Sequence, residues 1–101
     1  MIIVGGTFEV DPAQRDAFLA SRHDVMRSSR AEPGCLDYVF SADPLDPARV
    51  LLFERWETQE ALDAHLAALR AGRQPPAAGA VAPRSTSIVL YDVAGERPLG
   101  R

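Results

Sequence analysis

The residues best suited to chemistry in this chain are few: two histidines, His23 and His65, one tryptophan, Trp56, and an oddly placed carboxylate, Glu54. Histidine titrates near neutrality without perturbation, so it is the first residue to weigh as a base. His65 lies in the run Ala61-Leu62-Asp63-Ala64-His65-Leu66. On a helix it falls on the flank of a Leu62-Leu66-Leu69 stripe, where it can face a gap between helix and sheet. The same position suits a histidine packed at the core edge and hydrogen-bonded to a neighbour. Glu54 and Trp56 stand two residues apart on an alternating strand and share its face. An inward carboxylate is costly unless paired, so Glu54 is either a working group or the partner of an arginine or a helix. Trp56 can wall a cavity and donate its indole N–H to a ligand oxygen, or simply fill the core.

Three more side chains join the candidate pocket. Tyr38 shares a strand face with Leu36 and Phe40, and its hydroxyl can address a ligand or a partner chain, or be satisfied within the core. Arg22 falls inside the apolar stripe of the first helix, where it either extends its guanidinium to solvent or meets the anionic end of a ligand. Phe53, beside Glu54, completes the set with Tyr38, Glu54 and Arg22. His23 lies off the stripe and is expected in solvent. Two histidines without clustered carboxylates do not compose a metal site, and none is expected. The lone Cys35 has no partner for an internal disulfide or a cysteine-based metal site. Gly5-Gly6 within a strand pattern predicts a bulge or a close backbone approach, and no phosphate-loop pattern follows it.

The elements that carry these residues follow from periodicity. Ile2 to Val10 alternates with period two, a strand. Asp11-Pro12 opens a helix, with Asp11 as N-cap, Pro12 at the first helical position and an apolar stripe of Ala17, Phe18, Val25 and Met26. Glu32-Pro33-Gly34 ends it, because Pro33 disfavours helical geometry in the residue before it. Cys35 to Ser41 is the second strand, residues 43–47 supply turn chemistry for a hairpin, and Arg49 to Glu57 is the third. Thr58 caps a second helix that Gly72 stops. The Pro- and Ala-rich residues 73–83 predict an irregular loop, Ser85 to Val93 a fourth strand, and residues 94–101 a tail. Residues 1–93 thus form one domain.

The order β-α-β-β-α-β is the split βαβ arrangement of a ferredoxin-like α+β fold: a four-stranded antiparallel sheet with two helices on one face. The strands carry apolar residues on both faces, among them Ile3, Leu51, Phe53, Ile88 and Leu90. Two helices cover one face only, so a second copy of the sheet is expected on the other, making a homodimer.

Composition limits the remaining classes. With 101 residues and 47% hydrophobic content, the chain is an ordinary one-domain globular sequence. Its net charge of −3 and scattered arginines do not favour nucleic acid. It has no membrane-length apolar run, and its first residues lack the basic region of a signal peptide, so a cytoplasmic protein is expected.

Glu32-Pro33-Gly34-Cys35-Leu36-Asp37-Tyr38, then Phe53-Glu54-Arg55-Trp56-Glu57, then Ala61-Leu62-Asp63-Ala64-His65-Leu66, resemble the antibiotic biosynthesis monooxygenase family. The resemblance spans Ile2 to about Leu69 and implies a dimeric α+β barrel. It also implies a choice of activities: cofactor-independent oxygenation of quinols or anthrones, haem degradation, or isomerisation. The haem-degrading branch uses an asparagine in the first strand, a tryptophan in the second helix and a later histidine. Those places here hold Gly5 or Gly6, His65 and the Pro75 region, so haem degradation is not expected. The implied function is oxidation of a small aromatic, quinol- or anthrone-like molecule by dioxygen without metal or flavin, with His65 and Trp56 as catalytic residues. A non-catalytic dimer that binds a small apolar molecule or assists another enzyme stays open, as does an isomerase.

Overall fold

Strand β1, Ile2–Glu9, sets the two sides of the sheet by its alternation: Ile2, Val4, Gly6 and Phe8 are buried, and Ile3, Gly5 and Thr7 between them are only partly covered. In the computed structural model, which describes residues 1–72 and 81–100, it is one of the two inner strands. The four strands, β1, β2 (Cys35–Ala42), β3 (Arg49–Trp56) and β4 (Ser85–Asp92), are ordered β2-β3-β1-β4, and all neighbours are antiparallel. This is the ferredoxin-like α+β architecture predicted from the element order.

The buried row of β3, Val50, Leu52, Glu54 and Trp56, lies across from Phe8, Gly6, Val4 and Ile2 of β1. Strand residues directly opposite one another share a face, so these positions form the helix side of the sheet. Tyr38 and Phe40 of β2 continue it, paired with Glu54 and Leu52, and Ile88 and Leu90 of β4 extend it beyond β1. Ile3, Leu51, Phe53, Val89 and Tyr91 project from the other side.

Gly5-Gly6 does not bulge, since β1 keeps an unbroken register with both neighbours. The glycine serves the close approach instead: a Cβ on Gly6 would stand 3.2 Å from Leu52 Cβ and 3.3 Å from Ile88 Cγ1. The irregularity falls in β2, where Cys35 pairs with Trp56 and Asp37 with Arg55, leaving Leu36 as the extra residue. Leu36 therefore does not share a row with Tyr38 and Phe40. It is 41% exposed, while Cys35 packs against the core in its place.

The first helical segment is not one helix. Asp11 accepts from Ala13 N–H at 2.9 Å and starts a 3-10 turn, Pro12–Gln14, followed by α1 (Arg15–Ala20) and α2 (His23–Arg30). The break follows from Ser21, whose hydroxyl donates to Phe18 O at 2.6 Å and tightens the turn before α2 begins. The expected stripe changes as a result: Phe18 is fully buried, but Ala17 faces solvent.

Helix α3, Gln59–Arg70, opens where predicted, with Thr58 Oγ accepting from Ala61 N–H at 3.1 Å. It closes at Gly72, which adopts a positive φ. Its deepest residues are Leu62 and His65, while Leu66 and Leu69 remain 38% and 40% exposed. The helices pack over β2 and β3, leaving β4 exposed on both faces. Of the expected loop, residues 73–80 lie outside the described residues, and residues 81–84 and 93–100 form no helix or strand. No helix among the described residues is long and apolar enough to cross a membrane.

Candidate functional site

The uneven helix coverage leaves a cavity of about 310 Å³ between α3 and the sheet, toward β1 and β4. Leu62, His65, Leu66 and Leu69 of α3 line one side; Val4, Leu52, Ile88 and Leu90 form the sheet floor. Tyr38, Phe40, Glu54 and Arg22 complete the wall. An apolar pocket with a few convergent polar groups is the form a small-molecule site takes.

His65 is the centre of this polar group. Its side chain is 1% exposed, and Nδ1 lies 2.6 Å from Glu32 Oε1. An ionised carboxylate only accepts, so Nδ1 donates to it and Nε2 is left as the basic nitrogen of the neutral ring. The ring is held between Trp56, 4.8 Å away between centroids, and Tyr38, 5.3 Å away. Glu32 is set there by the turn into β2. Gly34 takes φ 81°, and a Cβ on it would stand 2.6 Å from Ala61 Cβ, so α3 and the turn meet at a spot only glycine fits.

Glu54 is buried beside this pair, and its Oε1 accepts the Trp56 indole N–H at 2.9 Å. Burial pushes its carboxyl above the ordinary range, partly offset by the Trp56 hydrogen bond and by the neighbouring His65, while Glu32 adds to the rise. Burial and then the Glu54 charge likewise raise Tyr38, keeping its phenol protonated. The Cys35 thiol is pushed up to about 11, by burial first and by Glu32, Glu54 and Asp37 after it. It is not a thiolate nucleophile at neutral pH.

Arg22 does not reach out to solvent. The α1–α2 break turns its guanidinium over Phe18, 4.7 Å from the ring centroid, and toward Phe40 at 5.7 Å. Phe8, Phe18 and Phe40 make one aromatic cluster beneath it.

The structure thus brings His65, Tyr38, Glu54 and Arg22 to one cavity. Trp56 stands behind them, fully buried, with its N–H committed to Glu54, so it meets no ligand oxygen directly. Phe53 is on the opposite face of the sheet and belongs to a different surface, because its neighbours Glu54 and Leu52 take the helix side. Glu32 was named in the sequence only within the Glu32-Pro33-Gly34 turn. Its link to His65 spans 33 residues, and no local pattern encodes such a contact. Among the described residues, no group of three or more His, Cys, Asp or Glu side chains is placed to hold a metal ion.

Residues 1–72 match the family described as antibiotic biosynthesis monooxygenase. The chain belongs to the antibiotic biosynthesis monooxygenase family. Among sequence relatives of this family member, the uncharacterized protein sll1783 of Synechocystis is 38% identical over 64 residues. That match covers 63% of the chain and 44% of the relative, so the chain spans less than half the length of sll1783 it is compared with. Solved structures extend the likeness over nearly the whole monooxygenase-family fold. Rv0793 from Mycobacterium tuberculosis has a TM-score of 0.72 at 25% identity, covering 96% of this chain and 98% of that one. PA3566 from Pseudomonas aeruginosa has a TM-score of 0.70 at 26% identity, covering 92% and 94%.

Proposed function

We propose that the protein is a monooxygenase that oxidises a small hydroxyaromatic substrate of quinol or anthrone type with dioxygen, using no metal or flavin. The observation that carries this reading is the Glu32–His65 pair at 2.6 Å, buried against Trp56 and opening on an apolar cavity. Without a redox cofactor, the substrate itself must reduce dioxygen, and it does so readily only as an electron-rich anion. His65 Nε2 removes the substrate proton, and the Glu32 carboxylate stabilises the imidazolium that results. The substrate anion passes one electron to dioxygen, and the two radicals combine into a C–O bond. The His65 imidazolium protonates the peroxide anion so formed. The freed imidazole then takes the C–H proton of the oxygenated carbon as the O–O bond breaks and hydroxide leaves, giving the carbonyl. His65 passes that proton to the hydroxide, so one oxygen atom enters the product and the other leaves as water. The Tyr38 hydroxyl, kept protonated by burial, is a donor for the developing oxyanion.

The outer sheet face supports a second element of this reading. Phe53, Val89 and Tyr91 are 41%, 45% and 54% exposed there beside Ile3 and Leu51. A contiguous apolar face of this kind fits a second copy of the sheet, giving a homodimer with one cavity under each helix layer.

Oxygen uptake by purified, chelator-treated, flavin-free protein against quinols and anthrones tests the activity. The expected result is uptake above substrate autoxidation that collapses in His65→Ala. Uptake unchanged in that variant removes His65 as the base, and no uptake across the panel removes the oxygenase reading.

A further inference from the structure

Among the described residues, Arg22 is the one cation that lines the cavity, and its hydrogen bonding is incomplete. Arg30 Nε donates to Tyr38 O at 2.8 Å, and Arg49 and Arg55 pair with Asp43 and Asp37. Arg22 forms no ion pair with any described residue, and its Nε is buried without a hydrogen-bond partner. A desolvated guanidinium donor is costly to leave unmade, and native proteins rarely leave one so. Stacking on Phe18 and Phe40 satisfies the face of the cation but none of its N–H groups, which lie in the guanidinium plane.

The cavity is also polarised. The acidic groups, Glu54 and the Glu32 carboxylate behind His65, gather on the His65 side, whereas Arg22 sits over the Phe18–Phe40 cluster, with Tyr38 between the two. A ligand with a negative group at one end therefore has one favourable orientation, anion to Arg22 and hydroxyl to His65. We propose that the substrate is an aromatic acid: a hydroxyaromatic ring bearing a carboxylate that the Arg22 guanidinium binds at the cavity wall. The inference rests on the cavity being the ligand site, as in the preceding reading, but not on the oxygen chemistry assigned to it.

The chain's one tryptophan, Trp56, stacks on His65 and reports occupancy by its fluorescence. The probes are gentisate, which is hydroquinone carrying a carboxylate, and its uncharged methyl ester, titrated anaerobically so that no turnover occurs. Wild-type protein is expected to bind gentisate about tenfold more tightly than the ester, the worth of one charge-assisted contact. Arg22→Gln should lose this preference while the affinity for the ester stays put, and Arg22→Lys, which keeps the charge without the fork, should retain part of it. Equal binding of acid and ester by the wild type, or a preference that survives in Arg22→Gln, overturns the inference. Should Arg22→Gln fail to fold, the wild-type comparison and Arg22→Lys decide it. Failure of both probes to bind overturns the inference and the ligand site together. A clear acid preference in a protein that consumes no oxygen supports the inference and removes only the oxygenase reading.

Discussion

His65 Nδ1 and Glu32 Oε1 lie 2.6 Å apart, joining the middle of α3 to the turn that starts β2. The contact fixes which ring nitrogen carries the proton and, in the proposed mechanism, puts a negative charge where a positive one develops on His65. Glu32→Gln keeps an oxygen that can accept from Nδ1 and removes the charge. We expect kcat to fall about a hundredfold, the scale of acid-base assistance, with KM nearly unchanged, because Glu32 acts through His65 and not on the substrate. Steady-state oxygen uptake checks this, and an unchanged kcat would show that the carboxylate only packs against the ring.

The strands and α3 were legible in the sequence because each depends on local periodicity and caps. Thr58, Gly72 and the alternation of Ile2 to Glu9 all act within a few residues of themselves. What was illegible depends on contacts made across the fold. The Ser21 hydroxyl bond that divides the first helix, and so swings Arg22 inward, leaves no periodic mark, since Phe18, Val25 and Met26 pack inward on either side of the break. The bulge at Leu36 follows from β2 matching β3, not from its own residues. His65, placed by the helical wheel at the flank of a leucine stripe, is deeper than Leu66 and Leu69 because the cavity opens beneath those leucines. The candidate pocket was legible as a set of strand and helix faces, which is why Tyr38, Glu54 and His65 converge. Phe53, on the alternate face of β3, could not join them.

Glu54 supplies a prediction about pH. Its carboxyl is raised above its ordinary 4.5, with burial the largest cause. The folded protein thus holds this proton to a higher pH than the unfolded chain does. Below 4.5 the group is protonated in both states and carries no penalty. As pH rises from there through the folded-state value, the unfolded state gives up its proton first, and folding stability declines. Glu54→Gln cannot ionise and still accepts from the Trp56 indole. Urea midpoints measured from acid to neutral pH should therefore show the variant gaining on the wild type as pH rises. A difference that stays flat with pH would mean that Glu54 is ionised with equal ease in both states.

The exposed outer face gives the last expectation. Phe53 lies near its middle, on an inner strand, with Leu51 on the same strand and Val89 and Tyr91 across β1. A stable pairing of two copies buries roughly 1,200–2,000 Å² in total, and the centre of such a patch, freed of water, carries most of the binding energy. Phe53→Glu puts a charge on each side of that centre, and two like charges brought together without partners oppose association. Monomeric protein has a mass of 11.0 kDa, so sedimentation should give the wild type about twice that and Phe53→Glu the single value. The variant's helix-side core, including the His65 pocket, lies on the opposite face and should stay folded, which circular dichroism checks. A wild type that sediments as a monomer would mean that this face is covered by something other than its own copy.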